Sequence, residues 1–407
     1  MISSNFTKHL NGVKNVLLVY PNFPTVRKSR NHKDSIPIGL LKIASLLRKH
    51  NINFQLVFVD DNIVLKEEPD LICITSLYVY YSKYIKEAVD LYREKYPQAK
   101  IMVGGIYASV LPEQCEKYTK CDIVFKGIIE EAENLQPAYD LIDSDTQIIF
   151  SSRGCVRKCS FCGTYLIEPK FTYKKSIKNE IVKRKIVFYD NELLANPYIK
   201  DILKELIELK KSRKISYVES QSGFDGRILL QHPELGQMIK DAGFKNPRIA
   251  WDYSFSDADN ILKQIEILEE AGYKRKHISI YMIFNWDIPF NEMEKKRAKC
   301  FEWGVQITDC RYRPLDMLSD NYNPYTINQT NEDYYIHPLW TDKQNRTFRR
   351  HVRRTNIAIR QDTSFYSYKM ESKQISKGII DKVRNMSAEE ASKYISDIYD
   401  SMVVSND

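Results

Sequence analysis

A chain of 407 residues, 28% charged and 43% hydrophobic, can bury two or three separate cores and is not a disordered or fibrous protein. Its net charge of +8, from 61 Lys+Arg against 53 Asp+Glu, is too mild to name a partner by itself. No apolar run approaches a membrane span, Met1 to Leu10 lacks a signal-peptide core, and eight cysteines in so long a chain make no disulfide framework; these features predict a cytoplasmic protein without membrane contact.

In chain order, Val13 to Tyr20 reads as a buried strand, followed by a polar, basic loop from Thr25 to Asp34. Ile36-Pro37-Ile38-Gly39 opens a helix with apolar positions at Leu40, Leu41, Ile43, Ala44 and Leu47. Phe54 to Val59 is a second strand, with Asp60-Asp61 at its carboxyl end, and Leu71 to Thr75 is a third. Tyr84 to Tyr96 is an amphipathic helix; Ile101 to Val103 and Ile123 to Phe125 are further strands. Strands alternating with helices predict a Rossmann-like, doubly wound parallel sheet over residues 1–145. Such sheets bind ligands outside the carboxyl ends of their strands, where Ser76, Gly104 and Gly105 stand. Cys73, Cys115 and Cys121 read as buried apolar residues.

The next strand, Gln147 to Phe150, runs into Cys155-x3-Cys159-x2-Cys162. Three thiolates on one loop can each hold an iron of a [4Fe–4S] cube, and with no fourth cysteine until Cys300 one iron keeps an open position. Arg157 and Lys158 would help keep the thiols ionised. A zinc site would need a fourth ligand, and three unpaired core cysteines are the other alternative.

Five more strand-and-helix patterns follow. Lys185 to Tyr189 ends in Asp190-Asn191, Ile215 to Val218 in Glu219-Ser220-Gln221, and Arg248 to Tyr253 carries Asp252 ahead of Ser254. Ile278 to Phe284 comes next, then Val305 to Thr308, which leads into Asp309, Arg311 and Arg313. These polar groups would collect where parallel barrels gather their chemistry. Arg311 and Arg313 flank Tyr312, so both would point to one face and suit a carboxylate or phosphate, or a salt bridge to Asp309 or Asp316. From residue 329 the chain reads as a basic, mostly helical extension. Lys343 to Arg360 holds seven basic residues and no acid, with Phe348, Val352, Thr355 and Ile359 at helical spacing. Its charged face would lie along a nucleic acid, or be solvated or paired with nearby acids.

Cys155, Cys159 and Cys162, with Phe161 before the last, resemble the signature of the radical S-adenosylmethionine (SAM) enzymes. Pro21…Pro37-x-Gly39, Thr75-Ser76 and Val103-Gly104-Gly105…Leu111-Pro112-Glu113 resemble the cobalamin-binding domain preceding the barrel in one subclass of that family. The D-x-H-x-x-G motif whose His ligates cobalt elsewhere is absent. The resemblance implies a (β/α)6 partial TIM barrel over residues 146–328 and a cluster whose open iron is chelated by SAM. SAM is then split to a 5′-deoxyadenosyl radical by an electron from a flavodoxin- or ferredoxin-type reductant. It implies Phe161 near the adenine, Asp190 and Asn191 at the SAM amino group, and Glu219, Gln221, Asp252 and Ser254 toward SAM or substrate. Ser76, Gly104 and Gly105 would meet cobalamin. The function implied is cobalamin-dependent methylation of an unidentified substrate, with Asp309, Arg311 and Arg313 as substrate contacts. The alternatives are a cobalamin-independent radical modification, including one of a nucleic acid or nucleotide, and a non-enzymatic iron–sulfur protein that binds nucleic acid.

Overall fold

Val16 to Tyr20, five apolar residues in succession, form a strand buried on both faces, as a central strand of a parallel sheet must be. In the computed structural model, which describes residues 1–24, 36–58, 65, 67–366 and 377–404, that strand belongs to the first of two units. The basic loop Thr25 to Asp34 and the Asp60-Asp61 pair lie outside the described residues.

The first unit comprises Met1–Ser222, Arg313–Tyr322 and Asp333–Tyr335. Its main sheet holds β1 (Ile2–Ser3), β2 (Asn15–Tyr20), β3 (Asn53–Phe58), β4 (Leu71–Ser76), β5 (Lys100–Gly105) and β6 (Ile123–Phe125), in the order β1-β6-β5-β4-β2-β3. Every pair is parallel. Helix α1 (Ile38–Lys49) joins β2 to β3 and buries Leu40, Leu41, Ala44 and Leu47. Helix α2 (Ser82–Lys95) joins β4 to β5 through Ile85, Ala88, Val89 and Tyr92. Strand order therefore reverses at β2, with β3 on one side and β4 on the other. Because parallel crossovers are right-handed, the reversal sends α1 and α2 to opposite faces and opens a crevice at the carboxyl ends of β2 and β4. Between β5 and β6 come α3 (Ile106–Val110) and α4 (Pro112–Thr119). Cys73, Cys115 and Cys121 are buried in this core.

The same unit holds a three-stranded parallel sheet of β7 (Thr146–Ile149), β10 (Lys185–Phe188) and β11 (Tyr217–Ser220), ordered β11-β10-β7. A small antiparallel ribbon, β8 (Ser152–Arg153) with β9 (Thr172–Tyr173), frames the cysteine loop, and α5 (Thr164–Ile167) leaves it. Helix α6 (Ile199–Lys211) connects β10 to β11.

The second unit comprises Gly223–Tyr312, Asn323–Glu332 and Ile336–Asp407. Its parallel sheet has the order β12-β13-β14, with β12 Arg248–Ala250, β13 Ser279–Phe284 and β14 Gln306–Arg311. Around it lie α7 (Gly226–Gln231), α8 (Glu234–Ala242), α9 (Ala258–Glu270), α10 (Phe290–Trp303) and α11 (Asp342–Gln361). Two helices, Lys377–Val383 and Ala388–Val404, end the described chain.

The division differs from the three segments expected. The first unit runs through the cysteine loop to Ser222, and the basic helix is part of the second unit. Helix α11 buries Phe348 5.2 Å from the ring of Phe284 on β13. Its Asn356 side chain accepts from the Ile307 N–H at 2.8 Å and donates to the Ile307 carbonyl at 2.7 Å. An edge strand's unpaired backbone is thus satisfied by the helix that covers it. Among the described residues no helix is long and apolar enough to cross a membrane.

Candidate functional site

The cysteine loop is shaped by the residues on either side of it. Gly154, at φ +73°, turns the chain out of β8, and its N–H donates to Glu168 Oε2 at 2.5 Å. Cys155, Cys159 and Cys162 are half-buried free thiols, as is the ring of Phe161. The Arg157 N–H donates to Cys155 Sγ at 3.3 Å, the Cys162 N–H to the Cys159 carbonyl at 3.0 Å, and Cys162 Sγ lies 3.2 Å from Thr164 Oγ1. Burial pushes the Cys155 thiol up, aided by Glu192 and the other two thiols, and only the Arg157 N–H opposes it. The expected ionisation by the Arg157 and Lys158 charges is therefore not seen at Cys155. Deprotonation there would come with metal coordination itself. Among the described residues no group of three His, Cys, Asp or Glu side chains is gathered to hold a metal ion. The three thiols share one short loop.

Asp190 has another role than the one expected. It is fully buried, and its carboxylate accepts from Ser151 N–H (3.1 Å) and Oγ (2.6 Å) and from Ser152 N–H (2.6 Å) and Oγ (2.7 Å). Burial pushes its carboxyl upward against the pull of these bonds. These bonds brace the turn entering the cysteine loop. Asn191 stays with the loop, donating to Glu168 Oε2 at 3.0 Å and accepting from Thr164 Oγ1 at 3.3 Å. Glu219, at the end of β11, accepts from the Tyr217 hydroxyl. The Gln221 N–H donates to the Phe188 carbonyl at 2.9 Å, leaving its side chain half-buried.

At the crevice of the main sheet lies a cavity of about 660 Å³, within the range of small-molecule and cofactor sites. Tyr20, Ser76, Gly104 and Gly105 line it from the strand ends, and Tyr78, Tyr80 and Tyr81 add an aromatic wall. Its other side comes from the cysteine segment: Phe150, Arg153, Glu168, Tyr189 and Asn191. Burial first, then Tyr78 and Glu219, pushes the Tyr189 phenol up to about 12. Among the described residues no histidine lines the cavity. Two of the expected cofactor contacts carry structural duties. Ser76 Oγ accepts from the Ala108 N–H at 3.2 Å, bracing α3. Gly105 sits at φ +99°, and a Cβ there would stand 2.3 Å from the Ser76 carbonyl oxygen, so the sheet itself requires this glycine.

Sequence reasoning misses the charged group joining cavity and loop. Glu133 accepts from Lys42 Nζ at 2.6 Å, from Arg153 Nε at 2.8 Å and from Arg153 Nη2 at 2.8 Å, while Arg153 Nη1 reaches Glu168 at 3.1 Å. The Arg153 guanidinium also stacks 3.4 Å over the ring of Phe150. Burial opposes ionisation of Glu133, but Arg153 and then Lys42 outweigh it and hold the carboxyl below its ordinary 4.5. Burial lowers Lys42, and the neighbouring Arg153 charge adds to this against the pull of Glu133. A depressed carboxyl contributes stability fully above its unfolded value, lost as pH falls through the folded one. Glu133→Gln is therefore expected to destabilise the protein by about 3–5 kcal/mol at neutral pH, because it strands the buried Lys42 and leaves Arg153 with Glu168 alone. The gap from wild type in urea unfolding should narrow as pH falls below about 4.5. A gap independent of pH would remove Glu133 as its source.

In the second unit, Asp252 and Ser254 lie past the end of β12, one strand having stopped short at Ala250. Ser254 Oγ accepts from the Ser256 N–H at 3.2 Å as a cap. The buried Lys296 donates to the Trp251 and Tyr253 carbonyls at 2.7 and 2.8 Å and fixes that loop. Burial brings its amine down to about 8, with Asp252 opposing. The expected pair of guanidiniums, Arg311 and Arg313, is split between the two units, while Asp309 and Arg311 stay together. Both lie inside β14, opposite Met282 and Phe284 in register, on the face that α11 covers. Asp309 is 3.3 Å from Arg349 of that helix. Arg313 belongs to the first unit, bound to Asp320 at 2.5 Å with its guanidinium 4.6 Å from the Tyr80 ring centre.

No curated protein matches the chain. Among solved structures, the carboxyl transferase domain of Rhizobium etli pyruvate carboxylase is similar in its forms with 3-hydroxypyruvate and with 3-bromopyruvate, at 13% and 12% identity. The alignments cover 100% of this chain and 65% of those, with TM-scores of 0.16 and 0.17, too low to bear on fold. Residues 27–136 match the family model of the B12 binding domain. The segment whose strand ends form the cavity is thus a cobalamin-binding-like domain.

Proposed function

We propose that this protein is a radical SAM enzyme that modifies its substrate with the help of a corrinoid, most simply by methylation. The observation that carries the reading is the cavity: strand ends of a B12-binding-like domain form one wall and the flanks of the Cys155–Cys162 loop the other. Cys155, Cys159 and Cys162 would hold the [4Fe–4S] cluster, and the cavity would hold cobalamin without a protein histidine. Bound there, the cluster with SAM would supply a 5′-deoxyadenosyl radical, and cobalamin a transferable methyl group.

The chain's own residues do the rest. Asp190 fixes the turn into the loop through Ser151 and Ser152. Glu168 ties Gly154, Arg153 and Asn191 together, so the loop's two flanks cannot drift apart. Tyr78, Tyr80 and Tyr81 would offer aromatic surface to a ligand in the cavity. Phe161, Asn191, Glu219 and Gln221 are the proposed SAM contacts of the first unit.

The test is anaerobic reconstitution with iron, sulfide and hydroxocobalamin, followed by SAM and dithionite. Expected are a stoichiometric corrinoid spectrum and release of 5′-deoxyadenosine. Deoxyadenosine without corrinoid would favour a cobalamin-independent modification, and neither would overturn the reading.

A further inference from the structure

Strands β12, β13 and β14 lie side by side, and each places an aromatic residue within three positions of its carboxyl end: Tyr253, Trp286 and Tyr312. Tyr253 is 53% exposed, and Trp286 and Tyr312 are half-buried with ring centroids 4.1 Å apart. Trp286 is carried on a rigid turn. Asn285 before it is fully buried at φ +58°, and its amide oxygen accepts from the His337 N–H at 2.9 Å and from Asn345 Nδ2 at 3.0 Å. A left-handed residue held by buried hydrogen bonds is a preorganised one. Beside the rings, His337 Nδ1 accepts from the Leu339 N–H at 3.2 Å, which leaves the proton on Nε2, 3.1 Å from Asp287 Oδ1. The Asp287 side chain is 70% exposed. A carboxylate there repels phosphate but accepts from the N–H groups of a base edge.

Helix α11 leads away from this row. It begins beside Asn285 through Asn345, passes Asp309 through Arg349, and reaches Gln306, at the start of β14, through Arg360. Its 20 residues cover about 30 Å. Lys343, Arg350 and Arg353 are exposed along it, and no acid interrupts residues 343–360. Aromatic rings accept the face of any unpaired base, while a line of cations follows the phosphates, and a duplex hides the bases that stacking needs.

The geometry points to a single-stranded nucleic acid as the ligand of this unit, with unpaired bases on Trp286 and Tyr312 and phosphates along the exposed face of α11. That this strand is also the substrate of radical chemistry rests on the reading above; the binding does not. The test uses the full chain and a short labelled oligonucleotide of mixed sequence, as RNA and as DNA, read by anisotropy across a salt series. Binding is expected at low salt and should weaken steeply as salt rises. In Arg350→Ala/Arg353→Ala the log–log slope should shrink by roughly 0.7 per cation removed. Trp286→Ala should bind about ten-fold more weakly and lose quenching of the tryptophan emission, whereas Trp286→Phe should bind nearly as wild type does. Thermal midpoints of the variants separate this from misfolding. The same sequence as a duplex should bind less well. Absence of binding at low salt, equal affinity of the folded variants, or preference for duplex would overturn the proposal. The Cys155/Cys159/Cys162→Ala protein should bind the oligonucleotide normally, so failure of the cluster chemistry and failure of this surface are read apart.

Discussion

Protein in which Cys155, Cys159 and Cys162 are together replaced by Ala is expected to hold no iron after anaerobic reconstitution, where the wild type holds about four atoms per chain. The expectation follows from where the eight cysteines lie. Cys73, Cys115, Cys121 and Cys300 are buried in apolar cores. Burial pushes the Cys73 thiol up to about 12 and raises Cys300 as well, so neither readily supplies a thiolate. Cys310 is half-buried, but it stands alone on β14 in the other unit. Only the three loop thiols are accessible and share one short segment. Cys300→Ala and Cys310→Ala should therefore keep the full iron complement and its visible absorbance. In the triple variant, deoxyadenosine release from SAM should vanish together with that absorbance. Full iron retention in the triple variant would sink the cluster assignment.

That loop is legible because three cysteines at fixed spacing need no tertiary information. The main sheet is legible for a similar reason: β2 to β6 are apolar runs and α1 and α2 keep a helical period. β1 is missed because it is two residues long, with Ile2 41% exposed, and leaves no pattern. Past a strand's end, alternation no longer says where a side chain points. Asp190 there turns inward to two serines, and Arg313 finds Asp320. Asp309 and Arg311 are misplaced for the opposite reason. β14 continues three residues beyond its apolar run, so alternation carries both to the face under α11. Glu133 and Glu168 give no local signal at all, being acids in polar segments whose partners lie elsewhere in the chain.

The sharpest test of how much loop geometry matters leaves every thiol in place. Gly154 directly precedes Cys155, and a Cβ on it would stand 2.4 Å from the Lys170 carbonyl oxygen, 2.9 Å from its carbon and 3.1 Å from the Glu168 carbonyl oxygen. All three are backbone atoms on the strand side of the loop, so none can swing away. The backbone is also at φ +73°, which costs an L-residue roughly 1–3 kcal/mol. Gly154→Val must therefore shift the β8–β9 ribbon or flip the residue, and either displaces Cys155 and breaks the Gly154 N–H to Glu168 bond. Gly163, at the other end of the same loop, is a different case. Its φ is −92°, and a Cβ would meet only Leu315 Cδ2 at 3.2 Å, Leu315 Cδ1 at 3.4 Å and Val110 Cγ2 at 3.8 Å. A leucine side chain can rotate by those few tenths of an ångström. Iron loading is thus expected to fall about ten-fold in Gly154→Val, the equivalent of some 1.4 kcal/mol against the ligand arrangement, and to stay near wild type in Gly163→Ala. Equal iron in both would mean that three thiols on a flexible tether suffice, and that the ribbon, Glu168 and Asp190 hold the loop for some other purpose.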